Sequence, residues 1–363
     1  MLQKLVQNLF LFSLCFWVFD ASAQIQWYDP LEYEEVIQGR LFEEKNYHRL
    51  PSIMQESVRQ PVWNLAQQSA GLYLDFITDA SMISLEYQVH GPLQFPHMPA
   101  TGVSGLDLYV INEEGNYDWV RGKYSFGDTI RYQFELKQAK IQSQEFRLFL
   151  PLYNSIAGLR LGVEELDDFQ FLPKKSSPPI VVYGTSIAQG ACASRAGMAW
   201  TAILMRALKE PVVNLGFSGN GLLEKELVDW MGETKASLFI LDCLPNMQPG
   251  INMSEPEMRE RIQYSVKSLK EKQSETPIIL VYHAGLGDSK VDLEKSEQVI
   301  FKNRLLQEEF ESLKEQGITG LFILNLEEIG LNEDDFVDGI HPTDGGMKKY
   351  SDAFIRKVSQ IRN

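Results

Sequence analysis

The stretch Ile180-Val181-Val182-Tyr183-Gly184-Thr185-Ser186-Ile187-Ala188-Gln189-Gly190 lies at the middle of a 363-residue chain. Its apolar run, Ile180 to Thr185, breaks at a glycine and passes into residues of helical character, as a buried strand does when it enters a crossover helix. The same handover recurs downstream. Strand-like runs fall at Val212 to Phe217, Leu238 to Leu241, Ile278 to Tyr282 and Leu321 to Leu324. Helical patterns fill Trp200 to Leu208, Pro256 to Lys272, Lys290 to Gln316 and Gly345 to Ile361. This alternation predicts a three-layer α/β/α domain, flavodoxin-like, over residues 176–363.

Upstream the rhythm differs. Short alternating segments at Gly71 to Phe76, Met82 to Val89, Leu106 to Ile111 and Phe146 to Leu150 stand between turn-forming residues. They predict an all-β sandwich, jelly-roll-like, over residues 24–175. The polar, proline-bearing run from Pro173 to Pro179 reads as the linker between the two parts. The first 23 residues read as a signal peptide, with Lys4 in a basic start, an apolar stretch from Leu9 to Phe19, and Ala21-Ser22-Ala23 as the cleavage site. A secreted or periplasmic protein is therefore expected, with no transmembrane segment left after cleavage.

A formal net charge of −15 without a basic cluster excludes the electrostatic footprint of a nucleic-acid binder. It suits neutral or carbohydrate substrates better than polyanions. Of three cysteines, Cys15 leaves with the leader; export would permit one disulfide between Cys192 and Cys243, both expected at the same sheet edge. Neither Cys-x-x-Cys nor His-x-x-x-His spacing is present to suggest a zinc site, so no cofactor or metal is expected.

Ligands of open α/β sheets bind beyond the carboxyl ends of the strands. Three such positions carry useful groups: Ser186 after the first strand, Gly216-Phe217-Ser218-Gly219-Asn220-Gly221 after the second, and Asn246 after the third. A serine hydroxyl needs a neighbouring base to become nucleophilic. Asp338-Gly339-Ile340-His341-Pro342 supplies a carboxylate and an imidazole three residues apart, so Asp338 can orient His341 toward Ser186. Each residue also has a plainer reading: Ser186 and Asn246 as helix caps, Gly219 as a turn former. His283, at the end of a predicted strand, is the rival base; His48, His90 and His97 read as surface or sandwich residues. Arg195 and Trp200, just beyond Ser186, could contact substrate, but the commoner readings are an Arg paired with a surface acid and a core Trp.

Taken together these blocks resemble the SGNH, or GDSL-type, hydrolases. The first is similar to Tyr183-Gly184-Thr185-Ser186, the second to Asn214-Leu215-Gly216-Phe217-Ser218-Gly219-Asn220, the third to the segment holding Asn246, and the last to Asp338-x-x-His341. The third block departs from the usual Gly-x-Asn-Asp, because Leu244-Pro245-Asn246-Met247 stands there. Gly105-Leu106-Asp107-Leu108-Tyr109 matches the Gly-x-Asp-Leu-Tyr segment of SGNH esterases that carry a leading β-domain. A classical α/β-hydrolase fits less well, since the residue two after Ser186 is Ala188 rather than the second glycine of G-x-S-x-G.

The resemblance implies a catalytic triad of Ser186, Asp338 and His341, and an oxyanion hole made by the backbone of Ser186 and Gly219 with the Asn246 side chain. It implies a serine esterase cleaving short acyl esters, acetyl foremost, on small-molecule or polysaccharide substrates. The competing expectations are a non-catalytic carbohydrate-binding protein on a degenerate hydrolase scaffold, and an SGNH lipase or thioesterase.

Overall fold

Three five-stranded sheets form among the described residues. The computed structural model describes residues 24–137 and 143–362; the predicted leader, 1–23, lies outside them. Ten strands occupy the N-terminal part: β1 (Ile25–Tyr28), β2 (Tyr73–Thr78), β3 (Met82–Val89), β4 (Asp107–Ile111), β5 (Tyr117–Val120), β6 (Gly122–Ser125), β7 (Ile130–Glu135), β8 (Gln144–Phe149), β9 (Ile156–Glu164) and β10 (Phe169–Phe171). They build two antiparallel sheets, in the orders β1-β9-β3-β7-β6 and β10-β2-β8-β4-β5. Leu74, Phe76, Phe146 and Leu148 from one sheet meet Leu85, Phe134 and Leu161 from the other in a shared apolar core. That is the expected sandwich.

The C-terminal sheet is wholly parallel: β11 (Ile180–Gly184), β12 (Val212–Gly216), β13 (Leu238–Asp242), β14 (Ile278–Val281) and β15 (Leu321–Leu324). Its order, β12-β11-β13-β14-β15, is the flavodoxin-like arrangement. The longer helices are α1 (Trp200–Leu208), α2 (Lys225–Glu233), α3 (Glu255–Lys272), α4 (Leu293–Glu315) and α5 (Asp344–Arg362). α1 and α5 cover one face, where the Trp200 indole stacks on Phe354 at 4.4 Å; α2, α3 and α4 cover the other. Both faces are covered, which is why β11 to β14 read as largely apolar runs, broken within only by the buried Asn214 of β12.

Register decides where the chemistry converges. Gly184 pairs with Gly216 on one side and with Asp242 on the other, so the three strands end level. The residues that follow them, Ser186, Ser218-Gly219 and Asn246, therefore share one edge.

The N-terminal part is not β throughout, as the sequence pattern had suggested. Between β1 and β2 the chain forms a short helix, Gln60–Ala66, and lays Leu50, Met54, Val62 and Trp63 into the same core as Val181, Leu215 and Phe217. Sandwich residues Tyr109 and Phe149 likewise pack with Ala199 and Ile203 of the α/β part. The two parts thus share apolar cores across their junction.

Candidate active site

Ser186 opens a one-turn helix, Ser186–Gln189, directly after β11. The cap role that a serine here could have filled belongs to Thr185, whose hydroxyl accepts the Ile187 N–H. Ser186 is left with its side chain free for other work. Its Oγ lies 2.8 Å from Nε2 of His341.

His341 sits on the loop between β15 and α5, and Asp338 shapes that loop. One carboxylate oxygen accepts the backbone N–H groups of Ile340 (3.1 Å) and His341 (2.8 Å), and the other lies 2.8 Å from His341 Nδ1. Gly339 between them takes φ of +86°, a left-handed value that glycine adopts without strain. The turn is closed by Val337 N–H donating to the His341 carbonyl. A carboxylate accepts only, so Nδ1 carries the proton and Nε2 presents its lone pair to the serine. Burial works against the Asp338 anion, but the N–H groups of His341 and Ile340 hold its carboxyl below the ordinary range.

Gly219 also takes a left-handed φ, +68°, at the crest of the loop after β12. Asn246 ends the one-turn 3-10 helix Leu244–Asn246 after β13. Its amide satisfies both ends when Oδ1 faces the glycine loop, accepting from Asn220 N–H at 2.9 Å, Gly221 N–H at 3.1 Å and Gly219 N–H at 3.3 Å. Turned the other way, its bond is a long 3.4 Å donation to the Phe217 carbonyl, so the first orientation is the favoured one.

Residues 177–359 match the GDSL-like lipase/acylhydrolase family, and residues 25–169 match the GxDLY domain found at the N-terminus of SGNH-type esterases. The chain belongs to the GDSL-like lipase/acylhydrolase family. It is similar to a GDSL-like lipase from Bacteroides ovatus at 29% identity and TM-score 0.84, over 93% of this chain and 98% of that one. The salicylyl-acyltransferase SsfX3 of a tetracycline biosynthetic pathway shares the fold at 16% identity and TM-score 0.70, over 93% and 94% of the two chains. A family two carbohydrate esterase from Cellvibrio japonicus shares it at 16% identity and TM-score 0.54, over 80% and 89%. No curated protein matches the chain.

In this GDSL-like hydrolase Ser186, Gly219, Asn246 and His341 line one cleft of about 620 Å³. His283 lines it too, but makes no hydrogen bond to Ser186. Burial and the nearby Lys302 push its imidazole down to about 3. The rival base of the sequence reading is therefore a neutral imidazole.

Several supports of the site carry no sequence motif. Gln189 accepts the Ser218 N–H at 3.0 Å through Oε1 and donates through Nε2 to Gln68 and the Leu152 carbonyl, tying the glycine loop to the N-terminal part. Arg49, fully buried, donates to the carbonyls of Gly216 (2.5 Å) and Leu65 (2.6 Å), with its guanidinium over the Phe217 ring. Asp107 of the GxDLY segment takes Arg195 at 2.5 Å, Trp119 Nε1 at 2.7 Å and Gly197 N–H at 2.9 Å. Arg195 is thus paired with a buried acid rather than the surface acid expected. The segment clamps the loop that follows the candidate nucleophile.

His97, read as a sandwich or surface residue, is exposed, but its ring stacks 6.0 Å from that of His341. Donor atoms of His97, Cys192, Asp338 and His341 lie within 4.8 Å of one another. A metal bound there would take Asp338 and His341 from Ser186 and require the Cys192 thiol to ionise, although burial pushes it up to about 12. The disulfide considered from sequence does not form: Cys192 and Cys243 are both free. Cys192 belongs to the core on the α1/α5 face and Cys243 to the core on the opposite face, so the sheet separates the sulfurs.

Proposed function

We propose that this chain is a secreted serine esterase that removes short acyl groups, acetyl foremost, from carbohydrates. The observation that carries the reading is the relay from Asp338 through His341 to Ser186, two contacts of 2.8 Å each. Ser186 Oγ attacks the ester carbonyl while His341 Nε2 takes its proton, and the Asp338 carboxylate stabilises the imidazolium. The oxyanion is received by the first N–H of the helix, which has no partner inside that helix, by the Gly219 N–H and by Asn246 Nδ2. The Gly219 N–H has only the 3.3 Å contact to Asn246, the longest of the three in that loop, so it is the one most readily given up to a developing anion. His341 returns the proton to the leaving alkoxide. Water, deprotonated by the same histidine, then splits the acyl-serine, releasing the acid and restoring the hydroxyl.

The carbohydrate part is supported by the company the fold keeps, which includes an acetyl xylan esterase from Butyrivibrio proteoclasticus besides the Cellvibrio enzyme. The leader read in residues 1–23 supports action outside the cytoplasm. No helix among the described residues is long and apolar enough to cross a membrane. Initial rates on p-nitrophenyl acetate, butyrate, octanoate and palmitate, followed by acetylated oligosaccharides, test the proposal. Rates falling with chain length are expected; a maximum at octanoate or beyond overturns the acetyl-sugar reading and leaves ester hydrolysis standing.

A further inference from the structure

Lys302 and His283 line the cleft that holds Ser186, and each is only 6% exposed. Among the described residues Lys302 has one contact, a donation of 3.4 Å to the Pro245 carbonyl. An ammonium carries three donors, and burying its charge without a counter-charge is costly. Burial pushes it down to about 8, with no acid acting in the other direction. His283 Nδ1 accepts the Gly285 N–H at 3.2 Å, so its ring proton is on Nε2, where no protein acceptor meets it among the described residues.

The pair is held in place rather than left loose. Asn303, next to Lys302 on α4, accepts the His283 backbone N–H at 2.8 Å and donates back to the His283 carbonyl at 3.2 Å. Of the acids near the mouth of the cleft, Asp292 is engaged by Lys295 at 2.7 Å and Glu294 is exposed. One wall of the cleft therefore offers a cation with a single long protein acceptor and, close enough to feel its charge, a neutral N–H with no protein acceptor among the described residues. A carboxylate satisfies both, through charge-assisted bonds stronger than a neutral hydroxyl makes.

We propose, resting on the esterase reading above, that the ester cleaved at Ser186 sits on a sugar bearing a carboxylate, a uronic acid, which Lys302 and His283 hold. A net charge of −15 opposes a long polyanion, whereas a single carboxylate that reaches Lys302 meets the local charge of the wall.

The test compares methyl glucuronosides acetylated in turn at O2, O3 and O4 with methyl glucosides acetylated at the same positions. The wild type is expected to favour the best acidic ester over its neutral counterpart at least tenfold in kcat/KM, mainly through KM. Lys302→Met should bring that ratio to about one and, by removing an unpaired buried charge, raise the Tm. Circular dichroism and fluorophosphonate labelling verify that the variant is folded with a reactive serine; if it is not, the wild-type ratio alone decides. Equal kcat/KM for acidic and neutral esters in the wild type, or a preference unchanged in Lys302→Met, overturns the inference and leaves the esterase reading intact. Hydrolysis of neither series, together with no turnover of p-nitrophenyl acetate, overturns both.

Discussion

His341 and His283 reach the same cleft from different settings. His341 stands on a loop, its side chain 16% exposed, with Asp338 against one ring nitrogen and Ser186 against the other. His283 stands just past the end of β14, 6% exposed, with Lys302 as its charged neighbour. Gaining a proton at His341 places a cation beside a carboxylate. Gaining one at His283 places a second cation in a buried wall beside a lysine. Reach alone does not make an imidazole a base; the group behind it does, by stabilising or opposing the charge that proton transfer creates.

The largest test of this contrast is substitution of the relay itself. Ser186→Ala and His341→Ala should each lower kcat by about 10⁴-fold or more and abolish fluorophosphonate labelling, with the Tm little changed. His283→Asn should act through KM and still leave a serine that the reagent modifies. Loss of labelling in His283→Asn with labelling kept in His341→Ala would reverse the assignment. Asp338→Asn comes next, with kcat down by as much as about 10⁴-fold, because an amide can favour the wrong imidazole tautomer. Near wild-type turnover in that variant would show that the backbone alone orients His341.

A smaller effect is expected at the proposed oxyanion site. Asn246→Ala should reduce kcat by about 10²- to 10³-fold with KM little altered, the pattern of a bond made in the transition state. If KM rises instead while kcat holds, Asn246 binds substrate or only shapes the glycine loop.

The contrast also has a sign in the pH dependence of stability. His283 titrates near 3 when folded and near the ordinary histidine value of about 6.5 when unfolded. Between those values the unfolded chain binds the extra proton, so this residue lowers stability as pH falls from about 6.5 toward 3, by up to about 1.4 kcal/mol per pH unit. Thermal unfolding followed across that window should show a shallower decline in His283→Asn than in the wild type; equal slopes would mean that His283 accepts a proton in the folded state. Smallest of all, mass spectrometry of the unreduced protein should count two free thiols, Cys192 and Cys243, in the described chain.

Much of the α/β part was legible because its signals are local. Trp200–Leu208 and Leu321–Leu324 have the bounds that their periodicity predicts, and the other expected strands and helices differ from the observed ones by a few residues at their ends. α2 escaped notice, being a short helix with Lys225, Glu226 and Glu233 exposed and only Leu227, Val228, Met231 and Gly232 buried. The N-terminal part was less legible. β7 alternates cleanly in burial but is only six residues long, and β5 and β6 bury almost nothing, so their pairing rather than their composition makes them strands.

What the sequence by itself determined is the order of the elements and the identity of the chemical groups at their ends: Ser186 after β11, the glycine loop after β12, Asn246 after β13, and Asp338 three residues before His341. Strand periodicity and loop chemistry depend on neighbours along the chain, and those are written in it. Only the tertiary structure decided which groups ionise and which support others. Lys302 is an unremarkable lysine in a helical pattern until burial strips it of water and of any acid. Asp107 in GxDLY became the clamp of the loop that follows Ser186 only when Arg195, 88 residues away, folded against it. Cys192 and Cys243 shared one sheet edge on paper and are on opposite faces in space. Charge, desolvation and packing act through distance, and distance between residues far apart in the chain exists only after folding.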